Sequence, residues 1–194
     1  MTFSKTRIAV LAIGTLAVLA LGLRYRDALR KGNVKVTEAP PVAAAVARPA
    51  APPVSLADGS TRDLAAPSGK LLVVHFWATW CAPCEEELPG LVAWWREAKG
   101  DPRVELVAVS VDEEWKTVTG FLAKRNAGDL PVALDPRKAA ATAFGTTKFP
   151  ETWFLSPSGE ILHRWIGPQD WSSPEARTTL TALEARAIVG SNPS

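Results

Sequence analysis

Cys81 and Cys84 are the only cysteines in 194 residues, and they stand in Trp80-Cys81-Ala82-Pro83-Cys84 with two residues between them. One helical turn brings two sulfurs at this spacing within bonding distance, so the pair is suited to thiol-disulfide exchange. A disulfide framework needs more cysteines spread along the chain, and a structural zinc site needs four ligands, whereas only His75 and His163 could assist here. A helix starting just after Cys81 aims unpaired amides and a positive dipole end at its sulfur, which favours thiolate over thiol. Cys81 is therefore the expected nucleophile. Cys84, a turn further into the helix, attacks the resulting mixed disulfide and releases the reduced product. Pro83 supplies a fixed φ in the first turn, where no amide donor is needed.

The elements that must position this pair are legible on both sides. Leu71-Leu72-Val73-Val74-His75-Phe76-Trp77 is an apolar run that reads as a buried strand ending at the motif. Residues 82–99 read as a helix, with Leu88, Leu91, Val92, Trp95 and Ala98 at helical spacing and Pro89 as a kink. Ahead of the strand, Val54-Ser55-Leu56 and Thr61-Arg62-Asp63-Leu64 flank Ala57-Asp58-Gly59-Ser60, a hairpin signal. Beyond the helix come a strand at 104–111, a helix at 113–125, a short strand at 130–134 and a short helix at 137–144. A hairpin, 151–155 with 161–166 across Ser156-Pro157-Ser158-Gly159, precedes a last helix from Pro174 to about Val189. Strands alternating with helices imply an α/β sandwich with an antiparallel pair at one edge.

A net charge of +2 and a hydrophobic fraction of 47% argue against a basic nucleic-acid surface and against a disordered acidic chain. Three segments are expected. Residues 1–23 contain an uncharged apolar run, Ile8 to Leu23, preceded by Lys5 and Arg7. Sixteen residues reach about 24 Å as a helix, slightly short of a hydrocarbon core, with Phe3, Arg24 and Arg26 placed to extend it. The best small-x-small site, Ala20-Leu21-Gly22, is followed at once by Leu23-Arg24-Tyr25-Arg26, so the segment reads as an uncleaved anchor in preference to a cleaved signal peptide. Flanking positive charges nearly balance, and the expectation that the rest of the chain lies outside rests on the short leading tail. Residues 24–53 are first basic and then rich in Ala and Pro, a tether able to span up to about 90 Å. Residues 54–194 are long enough for one domain with a single core.

Val74-His75-Phe76-Trp77-Ala78-Thr79-Trp80-Cys81-Ala82-Pro83-Cys84 resembles the active-site segment of the thioredoxin superfamily, in particular its membrane-anchored TlpA, ResA and CcmG branch. Glu87-Leu88-Pro89 matches that branch's Cys-x-x-Cys-x-x-Glu-x-Pro pattern, the block 113–134 resembles its central αβ insertion, and Phe149-Pro150-Glu151-Thr152 resembles its cis-proline loop. The resemblance, over residues 54 to about 189, implies a thioredoxin-like α/β fold: a central mixed β-sheet flanked by helices, with an N-terminal β-hairpin. It implies a redox-active disulfide between Cys81 and Cys84. It also implies a cis Pro150 whose neighbouring backbone pairs with a substrate peptide, with Trp80, Phe149 and Glu151 around the same docking site.

Glu87 joins Cys81 and Cys84 as a catalytic candidate, because a nearby carboxylate raises cysteine pKa values and can accept or return the Cys84 proton. Glu85 and Glu86 are explained by the helix N-terminus alone. An acidic setting weakens the thiolate stabilisation that makes strong oxidants oxidising, which argues for a reductant. His75 departs from the family, which has an acid or a small amide there. It is either a hydrogen-bonded core residue or, if protonated, a group that opposes Glu87 and tunes the cysteine pKa. His163 is given no role, and most of the eight tryptophans are assigned to packing.

The implied protein is a reductase of protein disulfides, anchored in a bacterial inner membrane with its catalytic domain in the periplasm. Its expected partners are disulfide or dithiol proteins, such as apocytochrome c or metal-delivery proteins, and a membrane electron donor of thiol-disulfide relay type. No cofactor, metal or nucleic acid is expected. The alternatives are a disulfide oxidase or isomerase, and a non-enzymatic module holding copper(I) between Cys81 and Cys84.

Overall fold

The computed structural model describes residues 50–189. The expected anchor and most of the tether lie outside the described residues. Among the described residues no helix is long and apolar enough to cross a membrane.

Seven strands form one mixed sheet: β1 (Val54–Leu56), β2 (Thr61–Arg62), β3 (Leu71–Trp77), β4 (Val104–Ser110), β5 (Val132–Leu134), β6 (Glu151–Leu155) and β7 (Ile161–Ile166). Their order is β2-β1-β5-β4-β3-β6-β7. β3, every residue of which is buried, runs parallel to β4 and antiparallel to β6. β4 and β5 are parallel, while β6–β7 and β1–β2 are antiparallel pairs at the two edges. The N-terminal hairpin and the outer hairpin thus appear where expected, although β2 is only two residues long. Gly59 and Gly159 turn these two hairpins with φ of +84° and +89°, a region open to glycine without steric cost.

Four helices are described: α1 (Ala82–Ala98), α2 (Trp115–Ala123), α3 (Ala139–Ala143) and α4 (Pro174–Val189). Side chains alternate across β3. His75 meets Glu87 of α1, while the next residue, Phe76, packs edge-on against Phe144 just past α3, with ring centroids 5.4 Å apart. Both faces of the sheet are therefore covered, which is why β3 and β4 read as continuous apolar runs instead of alternating ones. α4 ties to α1 through Arg177 and Glu97 at 2.6 Å and buries Leu180, Leu183 and Ala187.

One core assignment changes. Trp94, not Trp95, is the buried indole of α1, stacked on Trp171 at 5.0 Å, while Trp95 lies at the margin and donates from Nε1 to the Asp129 carbonyl. Neighbouring tryptophans on a helix point about 100° apart, and the C-terminal segment, distant in sequence, determines which one is covered. Gly90 lies against the same indole, close enough that a Cβ there would just touch Trp171 Cβ at 3.4 Å. α1 runs through Pro89 without interruption.

Candidate active site

Cys81 is the N-cap of α1, in extended backbone geometry, and its Sγ accepts from the Cys84 amide at 3.3 Å. Its carbonyl receives the Cys84 and Glu85 amides at 3.0 and 3.1 Å, and Pro83 sits in the first turn. The two cysteines are joined as a disulfide with Cα atoms 5.2 Å apart. Both are largely covered, Cys81 at 7% exposure and Cys84 at 3%. An acceptor at the N-cap gains most when charged, because it lies on a free amide and at the positive end of the helix dipole. When the disulfide opens, Cys81 is the sulfur best placed to leave as thiolate.

The loop entering the helix is held by a residue that the sequence reading did not single out. Asp112, buried just past β4, accepts the Thr79 amide at 2.9 Å and the Thr79 hydroxyl at 2.7 Å. The Ser110 hydroxyl donates to the same carboxylate at 2.6 Å. An acid closing a buried strand, Ser110-Val111-Asp112, is the sequence signal that could have revealed it.

Around the pair lie the expected rim residues. Trp80 is 62% exposed and meets Phe149 edge-on with ring centroids 6.0 Å apart, while Lys138 Nζ lies 5.4 Å from the Trp80 ring centre. The Phe149–Pro150 peptide is cis, and the Pro150 carbonyl accepts the Gly167 amide at 2.9 Å. Glu151 differs from the others. Its side chain is wholly buried and ion-paired with Arg164, so any contact it makes with a substrate must come from its backbone. Arg164 also crosses the Trp153 ring at 4.4 Å.

Behind the cysteines, α1 and β3 bring Glu87 and His75 together. Each side chain is 2% exposed, with His75 Nε2 3.1 Å from Glu87 Oε1. Glu87 Oε2 accepts the Gln169 amide at 2.7 Å, and Oε1 has no well-aligned hydrogen bond. His75 Nδ1 lies 2.9 Å from Thr152 Oγ1. Burial pushes the Glu87 pKa up to about 7, against the weaker pull of the Gln169 amide and the Trp171 indole. Burial also pulls His75 down to about 3, so the ring is neutral at ordinary pH. Gln169, Trp171 and Thr152 reach this site from segments with no local sequence mark of their role. His163 packs against Phe154 and Trp165 away from it.

A Cys-x-x-Cys disulfide at the N-terminus of a helix, on a mixed sheet that also carries a cis-proline loop beside the motif's tryptophan, defines a thiol-disulfide oxidoreductase of thioredoxin-like fold. Residues 47–164 match the AhpC/TSA family, and the chain belongs to it. It is 30% identical over 162 residues to thiol-disulfide oxidoreductase ResA of Bacillus subtilis, spanning 81% of this chain and 84% of that one. Over 116 residues it is 34% identical to the thiol:disulfide interchange protein DsbE homolog of Paracoccus denitrificans, covering 57% of this chain and 62% of that one. The crystal structure of StoA from Bacillus subtilis superposes with a TM-score of 0.56 at 26% identity, over 72% of this chain and 98% of that one. The resemblance to ResA-type proteins read from the motif thus agrees with the relatives found.

Proposed function

We propose that this oxidoreductase works as a reductase of protein disulfides in an extracytoplasmic space. The observation that carries the reading is Glu87: a buried carboxyl one turn beyond Cys84, with no lysine or arginine ion-paired to it among the described residues. A carboxylate near the pair disfavours thiolates, raises the free energy of the reduced form and lowers the reduction potential. His75 does not reverse this, since its ring is neutral at ordinary pH.

In the reducing direction the Cys81 thiolate attacks one sulfur of a substrate disulfide, forming a mixed disulfide and expelling a substrate thiolate. Glu87 takes the Cys84 proton, and the Cys84 thiolate attacks Cys81 Sγ. The Cys81–Cys84 disulfide forms, the second substrate thiolate leaves, and two electrons have passed to the substrate. A dithiol donor then restores the pair by the reverse exchange. Trp80, Phe149 and the backbone beside Pro150 receive the substrate peptide.

The apolar segment at 8–23 supports an anchor in a bacterial inner membrane with the domain on the periplasmic side, supplied by a membrane electron donor. Apocytochrome c and metal-delivery proteins are the substrates suggested by the resemblance. The test is the reduction potential of the full-length protein, read from tryptophan emission in thiol-disulfide buffers. A value near −270 mV or lower, of the order found for thioredoxin, supports the reductase, and one near −120 mV overturns it in favour of an oxidase.

A further inference from the structure

The hydrogen inventory around His75 points to a role for a residue that the exchange reaction does not itself require. The ring lies between two partners, Thr152 Oγ1 at 2.9 Å from Nδ1 and Glu87 Oε1 at 3.1 Å from Nε2. If Nδ1 carried the ring proton and gave it to Thr152, the threonine hydroxyl hydrogen would need another acceptor in a buried site. If Nε2 carries it, the Thr152 hydroxyl donates to Nδ1, the Nε2 hydrogen has Glu87 Oε1 within 3.1 Å as its acceptor, and the Gln169 amide holds the second carboxylate oxygen. With Glu87 ionised, the ring hydrogen, the Thr152 hydroxyl hydrogen and the Gln169 amide hydrogen each then have an acceptor, as buried groups require.

We propose that Thr152 fixes His75 as the neutral Nε2–H tautomer and that this N–H, aimed at Glu87, holds the proton affinity of the buried acid in the range where it both takes and returns the Cys84 proton. This inference rests on the reading of Glu87 given above. His75 is a positioning residue: it touches neither sulfur nor substrate, and it acts by offsetting part of the burial cost of the carboxylate.

The surroundings agree. The groups facing the acid are His75 from β3 and the Gln169 amide and Trp171 indole from the segment after β7, with the acidic Glu86 and Asp170 lining the same cleft and Cys84 three residues earlier in α1. No lysine or arginine among the described residues is ion-paired with Glu87, so the imidazole and the Trp171 indole are the side-chain groups placed to favour its charged form. A cleft of about 330 Å³, lined by Glu86, Glu87, Gly90, Asp170 and Trp171, gives the carboxyl a way to exchange protons with water.

Two substitutions separate this role from packing. In His75→Asn the amide replaces Nδ1 and cannot reach Glu87, whereas in His75→Gln it extends to the Nε2 position and restores a donor. The carboxyl infrared band of the oxidised full-length protein, isolated by subtraction of Glu87→Gln, is followed with pH. His75→Asn is expected to raise its midpoint by about one unit, a tenfold change in proton affinity, and to move the pH profile of single-turnover disulfide reduction with it. His75→Gln is expected to bring both back to within about half a unit of the parent. Equal midpoints in the parent and His75→Asn, or equal shifts in both variants, overturn the proposal. If neither variant folds, 15N chemical shifts of His75 in the unaltered protein decide, and a proton on Nδ1 overturns it. The Glu87 reading fails separately, if Glu87→Gln reduces substrate at the parent rate across the whole pH range.

Discussion

One carboxylate, that of Asp112, takes both the amide and the hydroxyl of Thr79, two residues before the nucleophile. The strand end behind the motif is thereby tied to the loop carrying Trp80 and Cys81. Since Ser110 donates to the same group, removing it leaves several buried donors unmatched. Asp112→Ala should lower stability by about 3 kcal/mol. It should also slow alkylation of Cys81 in the reduced protein, because the sulfur is no longer held over the helix amides. Urea unfolding and iodoacetamide kinetics check the two effects; an unaltered alkylation rate would reduce Asp112 to a stability residue.

The Glu87–His75 pair has an unusual proton balance. Folded, Glu87 keeps its proton up to about pH 7 and His75 stays neutral down to about pH 3, so the pair holds one proton between those limits. Unfolded, with the ordinary values of 4.5 for the glutamate and 6.5 for the histidine, it also holds one proton between those values, now on the histidine. Folding then takes up and releases nothing from pH 4.5 to 6.5, and the pair contributes no slope to stability there. In Glu87→Gln only the histidine remains. Its folded pKa is depressed, the unfolded state binds more protons, and stability rises with pH by about 1.4 kcal/mol per unit across that window. Denaturant titrations of both proteins at a series of pH values measure the difference in slope. Parallel curves would mean that His75 protonates in the folded state.

Trp80 is exposed, so its truncation should change stability by no more than about 0.5 kcal/mol. Its edge contact with Phe149 places it over the loop that ends in the cis peptide. Trp80→Ala is expected to raise KM severalfold for a protein disulfide while leaving exchange with glutathione disulfide unchanged, since a small disulfide does not need the aromatic wall. Loss of both activities together would place Trp80 in the chemistry instead of in recognition.

Much of this site was legible because the signals are local. The apolar run 71–77, the motif at its end and the helix beyond it lie within thirty residues, and their order alone places Cys81 at an N-cap. The outer hairpin carried its own turn signal in Ser156 to Gly159. What could not be read depends on contacts made at long range. His75 presents the same letter whether it packs silently or faces an acid, and its partners come from α1 and β6. Gln169 meets Glu87 across a separation of 82 residues. The choice of Trp94 over Trp95 depends in the same way on Trp171, which returns from the C-terminal segment. The docking-loop motif around Glu151 marks it as a substrate contact, yet strand alternation turns its carboxylate inward to Arg164.

That last pair gives the sharpest test of how the cis-proline loop is supported. The Glu151 side chain is inaccessible to solvent, Oε2 has no hydrogen-bond partner, and Arg164 is its ion-pair partner on the adjoining strand. Arg164 is itself braced by the Trp153 ring and by the Gly145 carbonyl at 3.2 Å. Arg164→Leu would leave a buried charge without compensation, and the expected loss is about 3 to 5 kcal/mol. Removing the charge as well, in Glu151→Leu with Arg164→Leu, should recover much of that loss, because the penalty comes from the stranded carboxylate more than from the missing bond. Unfolding midpoints of the single and double variants decide this. A double variant no more stable than Arg164→Leu alone would show that the pair holds the start of β6 through geometry that leucines cannot replace.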